Sequence, residues 1–244
     1  MTEFLARPGL PRLAYNLRAG SGPTIVFLPG YGSDMTGGKA LALDAWAAET
    51  GHAILRLDYR GCGESAGVFA EATLDDWRDD ALDLIDSLTQ GPLLLVGSSM
   101  GGWLMLLIAI ERPERVVGLV GIAAAPDFTD WGFDDDIRAQ IEADGLIAQE
   151  SDYDDSVQIF TRGFWHSGQA NLLLDGVIAV DRPVRLLQGL DDTTVPPSVA
   201  FRLGRALRSA DVQTILIKEG DHRLSRPQDL ALLKTTVAAL IEGL

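Results

Sequence analysis

Apolar positions fall into two alternating kinds of stretch. Residues 12–18, 24–28, 53–57, 93–96, 116–123, 184–187 and 213–217 are short apolar or alternating runs of strand length, several of them closed by Gly, Pro or Asp. Between them, 38–49, 74–88, the run that starts at Met100, the segment from Pro196 or Pro197 to about Leu207, and 229–240 space their apolar residues as helices do. The clearest is 74–88: Leu74, Trp77, Ala81, Leu84, Ile85 and Leu88 share one face, Thr73 precedes it as an N-cap, and Asp75, Asp76, Asp79, Asp80, Asp83 and Asp86 take the other positions. Those aspartates read as a solvated surface and not as a metal cluster. Strand and helix alternating at this spacing predict an α/β protein with a mostly parallel central sheet flanked by helices on both faces.

The rhythm breaks over residues 127–182. This stretch has no strong strand pattern, carries Asp134, Asp135 and Asp136, and scatters Phe128, Trp131, Phe133, Phe160, Phe164 and Trp165 among polar residues. It is too long for a plain connection, so a small helical lid inserted into a single domain spanning 1–244 is expected. Half of its aromatics would hold the lid together. The others would line a pocket, for which Trp103, Phe128 and Trp131 are the substrate-binding candidates.

The apolar strand 93–96 runs into Gly97-Ser98-Ser99-Met100-Gly101-Gly102, and the apolar run Trp103-Leu104-Met105-Leu106-Leu107-Ile108-Ala109-Ile110 follows. Gly97 and Gly101 bracket Ser99 in the pattern G-x-S-x-G, a strained strand-to-helix turn that lifts a serine hydroxyl clear of the sheet. Ser98 cannot fill that role, because Val96 and Met100 stand where it would need glycines. A helix starting at Met100 aims its first amides at the serine, and the loop Pro29-Gly30-Tyr31-Gly32-Ser33 follows an early strand. The backbone N–H groups of Tyr31 and Met100 are therefore the candidates for an oxyanion hole.

A serine hydroxyl needs a base to act as a nucleophile near neutral pH. Of the three histidines, His222 alone follows the carboxyl end of a predicted strand. His52 precedes a strand and belongs at the opposite rim, and His166 lies in the insertion. Asp192 is the acid that would orient the imidazole, on the pattern Gly189-x-x-Asp192-x-x-Val195-Pro196. Asp191 is held in reserve and Asp127 is a further alternative.

Composition narrows the remaining choices. The 244 residues are 47% hydrophobic, enough for one sizeable core. A formal charge of −15 argues against a nucleic-acid partner. The single cysteine, Cys62, cannot form an internal disulfide, and no Cys/His spacing suggests a metal. Gly38-Lys39 lacks the hydroxyl and first glycine of a phosphate loop. Gly61-x-Gly63 is followed by Gly67 where a dinucleotide-binding helix should be under way. No apolar run reaches the length of a membrane span, and Glu3, Arg7, Pro8 and Pro11 interrupt any secretory signal, so a cytoplasmic protein is expected.

Taken together, Ser99, Asp192 and His222 in that chain order, over residues 24–240, resemble the α/β-hydrolase superfamily. More narrowly, Pro29-Gly30-Tyr31, Gly37-Gly38-Lys39-Ala40, Asp58-Tyr59-x-Gly61, Asp76-Trp77-Arg78 and the stretch from Gly97 to Met105 resemble its palmitoyl-protein thioesterase and acyl-glucuronide esterase branch. The resemblance implies a serine hydrolase for esters or thioesters, with a small-molecule or acylated-protein substrate and no cofactor. The chain departs from many members in carrying Pro29-Gly30 where they have His-Gly. The acidic insertion should disfavour multiply anionic substrates such as acyl-CoA, and an acyl glucuronide would call for a nearby cation, with Arg138, Arg162 and Arg182 as candidates. The alternatives are a non-catalytic small-molecule binder on the same fold and a dinucleotide-binding protein.

Overall fold

The computed structural model describes residues 1–150 and 157–244, so the part of the insertion at 151–156 lies outside the described residues. The strands are β1 (Glu3–Arg7), β2 (Leu10–Arg18), β3 (Ser21–Leu28), β4 (His52–Leu57), β5 (Leu93–Ser98), β6 (Val116–Ile122), β7 (Leu146–Glu150), β8 (Val157–Thr161), β9 (Val184–Gly189) and β10 (Val212–Ile217). The helices are α1 (Gly38–Thr50), α2 (Leu74–Leu88), α3 (Met100–Glu111), α4 (Phe128–Trp131), α5 (Asp135–Asp144), α6 (Arg162–Ala170), α7 (Pro197–Ala206) and α8 (Pro227–Glu242). Eight strands form one sheet in the order β1-β2-β4-β3-β5-β6-β9-β10. The β1–β2 and β2–β4 pairs are antiparallel and every pair from β4 to β10 is parallel.

Successive residues of a strand point to opposite faces, and the core divides accordingly. Val26 and Leu28 of β3 with Leu93 and Leu95 of β5 pack under α2, α3 and α7. Ile25 and Phe27 with Leu94 and Val96 pack against Leu43 and Ala47 of α1 and Leu233, Val237 and Leu240 of α8. Burial on both faces is why β5 reads as an unbroken apolar run. No described helix is long and apolar enough to cross a membrane.

Three features differ from the sequence reading. β1 pairs with β2 as an edge strand, although its alternation is too short and too charged to mark it. Asp80 is not on the solvated side of α2: it is fully buried, because the β1 hairpin and the Arg60 loop close over it. Its carboxylate accepts from Arg7 Nη1 at 2.7 Å, from the Arg60 guanidinium and from the Arg60 N–H at 2.7 Å. Two cations and a backbone donor offset the cost of burying that charge.

The insertion, third, is not purely helical. β7 and β8 form an antiparallel hairpin, Leu146 opposite Thr161 through Glu150 opposite Val157, set between α5 and α6. Five-residue strands that mix Gln and Glu with apolar residues give no run long enough to read. The acids Asp134, Asp135 and Asp136 are the N-cap and first turn of α5, where Asp134 accepts from the Ile137 N–H at 2.8 Å.

Candidate active site

Ser99 sits between the carboxyl end of β5 and the start of α3, with φ +53° and ψ −121°. A non-glycine residue holds such angles only where its surroundings fix them, at a cost of order 1–3 kcal/mol. The Ser99 N–H donates to Ile122 at 2.9 Å, and the Ser99 carbonyl accepts from Gly102 at 2.8 Å and Ala125 at 3.0 Å. The flanking glycines are required by close approach. A Cβ on Gly97 would lie 2.3 Å from the Gly101 carbonyl oxygen, and one on Gly101 would lie 2.0 Å from that of Leu28.

His222 follows β10, and its Nε2 lies 3.1 Å from Ser99 Oγ. Its Nδ1 lies 3.0 Å from Asp192 Oδ2, in the loop after β9. Asp192 is buried, with Oδ1 accepting from the Thr194 and Val195 N–H groups at 3.0 and 2.8 Å. An ionised carboxylate only accepts, so Nδ1 carries the proton and Nε2 is left to accept the serine proton. The structure thus brings Ser99, His222 and Asp192 together. Asp191 is exposed. Asp127 is spent elsewhere, its carboxylate accepting from the Leu173 and Leu174 N–H groups and tying the returning insertion to the end of β6. His52 opens β4 at the opposite end of the sheet, stacked on Trp46, and His166 meets Glu142 at 2.6 Å.

Gln188 is a member of this group that the sequence does not flag. It is buried at the end of β9, and its Nε2 donates to Asp192 Oδ2 at 3.1 Å, sharing that oxygen with His222. The only available signal was a lone amide in the apolar run Val184–Gly189.

The loop 29–33 lies against the serine, since a Cβ on Gly30 would stand 3.2 Å from that of Ser99. Farther along, Met35 is held at both backbone groups: its N–H donates to Asp58 at 2.7 Å and its carbonyl accepts from Arg56 at 2.6 Å. Met100, the first residue of α3, is buried beside the serine. The Tyr31 ring packs in a cluster with Phe69, Trp77, Phe128, Phe160 and Phe164. Burial pushes its phenol ionisation well up.

A cavity of about 900 Å³ opens at Ser99 and His222. Its lining includes the aromatic residues Tyr31, Phe69, Phe128, Trp131, Phe133 and Phe160 and the polar residues Ser33, Asp34, Lys39, Thr193, Thr194 and Arg223. Of the substrate-binding candidates, Phe128 and Trp131 line it and Trp103 does not. Trp103 is fully buried at the start of α3, its indole N–H donating to the Asn171 carbonyl at 3.1 Å, and the Phe128 ring packs on it at 5.8 Å. The candidate arginines lie elsewhere: Arg138 meets Asp130, Arg162 the Glu142 carbonyl and Arg182 the Pro113 carbonyl. Among the described residues, the cations lining the cavity are Lys39 and Arg223, with Asp34 as an acid beside them; the insertion's Asp152, Asp154 and Asp155 lie outside the described residues.

Lys39 Nζ donates to the Arg223 carbonyl at 2.5 Å, and burial brings its pKa down from its ordinary 10.5 to about 8. Below pH 8 the lysine is charged in the folded and unfolded chains, and the burial cost is present in full. Between about 8 and 10.5 the folded protein has shed a proton that the unfolded chain still holds, so the cost fades as pH rises. Urea unfolding of the wild type and Lys39→Met across this window should show the stability difference moving in favour of the wild type by about 2–3 kcal/mol. A flat or opposite trend contradicts the placement.

The sequence model described as "Alpha/beta hydrolase family" matches residues 25–234. The human mitochondrial palmitoyl-protein thioesterase ABHD10 is 42% identical over 246 residues, covering 99% of this chain and 80% of that protein, and the bovine protein is also 42% identical. Among solved structures, mouse alpha/beta hydrolase domain-containing protein 10 superposes with a TM-score of 0.94 at 40% identity, covering 100% of this chain and 99% of that one. A putative hydrolase from Agrobacterium vitis S4 gives 0.93 at 38%, covering 99% and 98%. These relatives correct the cytoplasmic expectation, since the mammalian proteins are named as mitochondrial. The sequence features behind that expectation do not separate the cytosol from a mitochondrial interior, because organelle addresses are of a different kind.

Proposed function

The chain belongs to the α/β-hydrolase family, and from that premise we propose that this hydrolase cleaves thioesters or carboxylic esters through an acyl-enzyme formed on Ser99. The observation that carries this reading is the hydrogen-bonded series from Ser99 through His222 to Asp192 at the mouth of a half-aromatic cavity.

Ser99 Oγ adds to the acyl carbon as its proton passes to His222 Nε2. Asp192, fixed by two backbone amides and Gln188, holds the ring in its tautomer and stabilises the imidazolium. The N–H groups of Tyr31 and Met100 take the negative charge that develops on the carbonyl oxygen, and the start of α3 adds its dipole. Collapse breaks the bond to sulfur or oxygen, and the leaving group takes the proton from Nε2. Water then adds to the acyl-serine, giving its proton to Nε2, and a second collapse returns that proton to Ser99 and frees the carboxylic acid. Every proton is carried by the histidine, so the reaction draws on no cofactor.

The acyl group belongs against the aromatic lining, where Phe128, Phe133 and Phe160 pack together, and the leaving group against the polar lining that includes Thr193 and Arg223. Residues 127–182 act as a lid within one domain: its Phe128, Trp131 and Phe160 form part of the acyl wall. The relatives' name, palmitoyl-protein thioesterase, supports a long acyl chain and an acylated protein among the substrates, with small acyl esters as simpler ones. A series of matched esters and thioesters from acetyl to hexadecanoyl tests this. kcat/KM should rise with chain length, by up to about fourfold per methylene while each added group is fully buried. A preference for acetyl over every longer chain contradicts it.

A further inference from the structure

Tyr31 joins two parts of the molecule that the chemistry needs at once. Its backbone lies in the turn beside Ser99, closed by the Ser33 N–H donating to the Gly30 carbonyl at 3.1 Å, with Gly32 at φ +65° on its far side. Its side chain leaves that turn for the insertion. The ring stacks on Phe160 at 4.8 Å, and the phenol O–H donates to the carbonyl of Ile159 in β8. Ile159 faces Ala148 in the β7–β8 hairpin, and Val157, Ile159 and Phe160 of that hairpin line the cavity.

The rest of the loop is anchored independently. Downstream, Arg56 and Asp58 grip Met35; upstream, β3 pairs on both sides with β4 and β5 through Phe27. Between these fixed points the Tyr59 hydroxyl donates to the Pro29 carbonyl at 3.3 Å, and the Tyr31 peptide is tied to its side chain, whose ring packs on Phe69, Trp77, Phe128 and Phe164 and whose hydroxyl and Phe160 contact join it to the hairpin. An acyl chain lying against Phe160 and Ile159 therefore presses on the element that anchors the oxyanion loop. The phenol stays protonated at every working pH, because burial disfavours the phenolate, so this anchor does not switch off with pH.

We propose that Tyr31 is a positioning residue that couples occupancy of the acyl wall to the oxyanion loop, so that long chains raise kcat and not only affinity. This rests on the reading of Ser99 as nucleophile and Tyr31 N–H as an oxyanion donor. It adds something that reading does not require, namely that turnover itself senses chain length through one side-chain hydroxyl.

Tyr31→Phe keeps the ring and removes only the hydroxyl. With butanoyl and dodecanoyl esters of one alcohol, the wild type should turn over the longer acyl group faster, and in Tyr31→Phe the ratio of the two kcat values should collapse about tenfold, toward one. The chain-length dependence of KM should persist, since the wall is intact. Loss of the same factor at both lengths, or a wild-type ratio in the variant, overturns the proposal. A second measurement covers the case in which the variant fails to fold. After wild-type Ser99 is labelled with an ethyl or a dodecyl fluorophosphonate, amide hydrogen exchange over residues 29–36 should be slower with the dodecyl label. Equal exchange with both labels overturns the coupling. Failure of either reagent to label Ser99 is a distinct result, and it overturns the reading of Ser99 on which the coupling rests.

Discussion

Ser99→Ala is expected to lower turnover of ester and thioester substrates by about 10⁵–10⁶-fold while leaving the fold in place. The size follows from what is lost. Without Oγ there is no acyl-enzyme, and water attacking the bound substrate has neither the serine's fixed position nor its 3.1 Å hydrogen bond to His222. The oxyanion amides and the cavity remain, so a residual acceleration over solution is expected. The fold should survive because the turn at φ +53° is held by backbone hydrogen bonds to Ile122, Gly102 and Ala125 and not by the hydroxyl. Parallel kinetics and thermal unfolding check both halves. Ser99→Ala and His222→Ala combined should be no worse than either alone, because the two act in one step. A folded Ser99→Ala protein with near-normal turnover removes Ser99 from the mechanism.

The second large effect separates two neighbouring aspartates. Asp192→Asn should cost about 10⁴-fold in kcat, whereas Asp191→Asn should leave kcat/KM within about twofold of the wild type. Asp192 Oδ1 is held by the amides of Thr194 and Val195, so an asparagine would keep its oxygen there. Its NH₂ would then face Nδ1 of His222 and the amide of Gln188, where the native oxygen accepts from both. A donor pointed at Nδ1 reverses the tautomer, and Nε2 then carries a proton and cannot receive the one from Ser99. Asp191 is exposed, and its N–H bonds to the Gly220 carbonyl, an interaction that does not depend on its side chain. Steady-state rates for the two variants decide the assignment, and a large loss confined to Asp191→Asn reverses it.

How far the sequence could be read depended on whether a residue's role is local. The turn at Ser99 was legible because two backbones crossing within van der Waals distance leave room only for Gly97 and Gly101. His222 was legible because the carboxyl ends of parallel strands gather on one rim, which also put His52 at the other. The capping box at Thr73 and Asp76 was half legible, through the threonine. Roles set by distant partners were not. Asp80 is buried because Arg7, 73 residues away, and the Arg60 loop fold over it, and nothing on α2 itself marks that position. Trp103 looked like a wall of the pocket, yet Phe128 and the returning chain at Asn171 cover it. Gln188 gains its meaning only once β9 and the loop after it bring its amide to Asp192. The β7–β8 hairpin draws its stability from the aromatic cluster around Tyr31 and Phe160, contacts that no five-residue window contains.

Labelling the protein with a fluorophosphonate and mapping the adduct by peptide mass spectrometry tests the central claim most directly. The account predicts one stoichiometric adduct, on Ser99, absent from Ser99→Ala and strongly slowed in His222→Ala. No adduct on the folded wild-type protein, or one on a different serine, contradicts it.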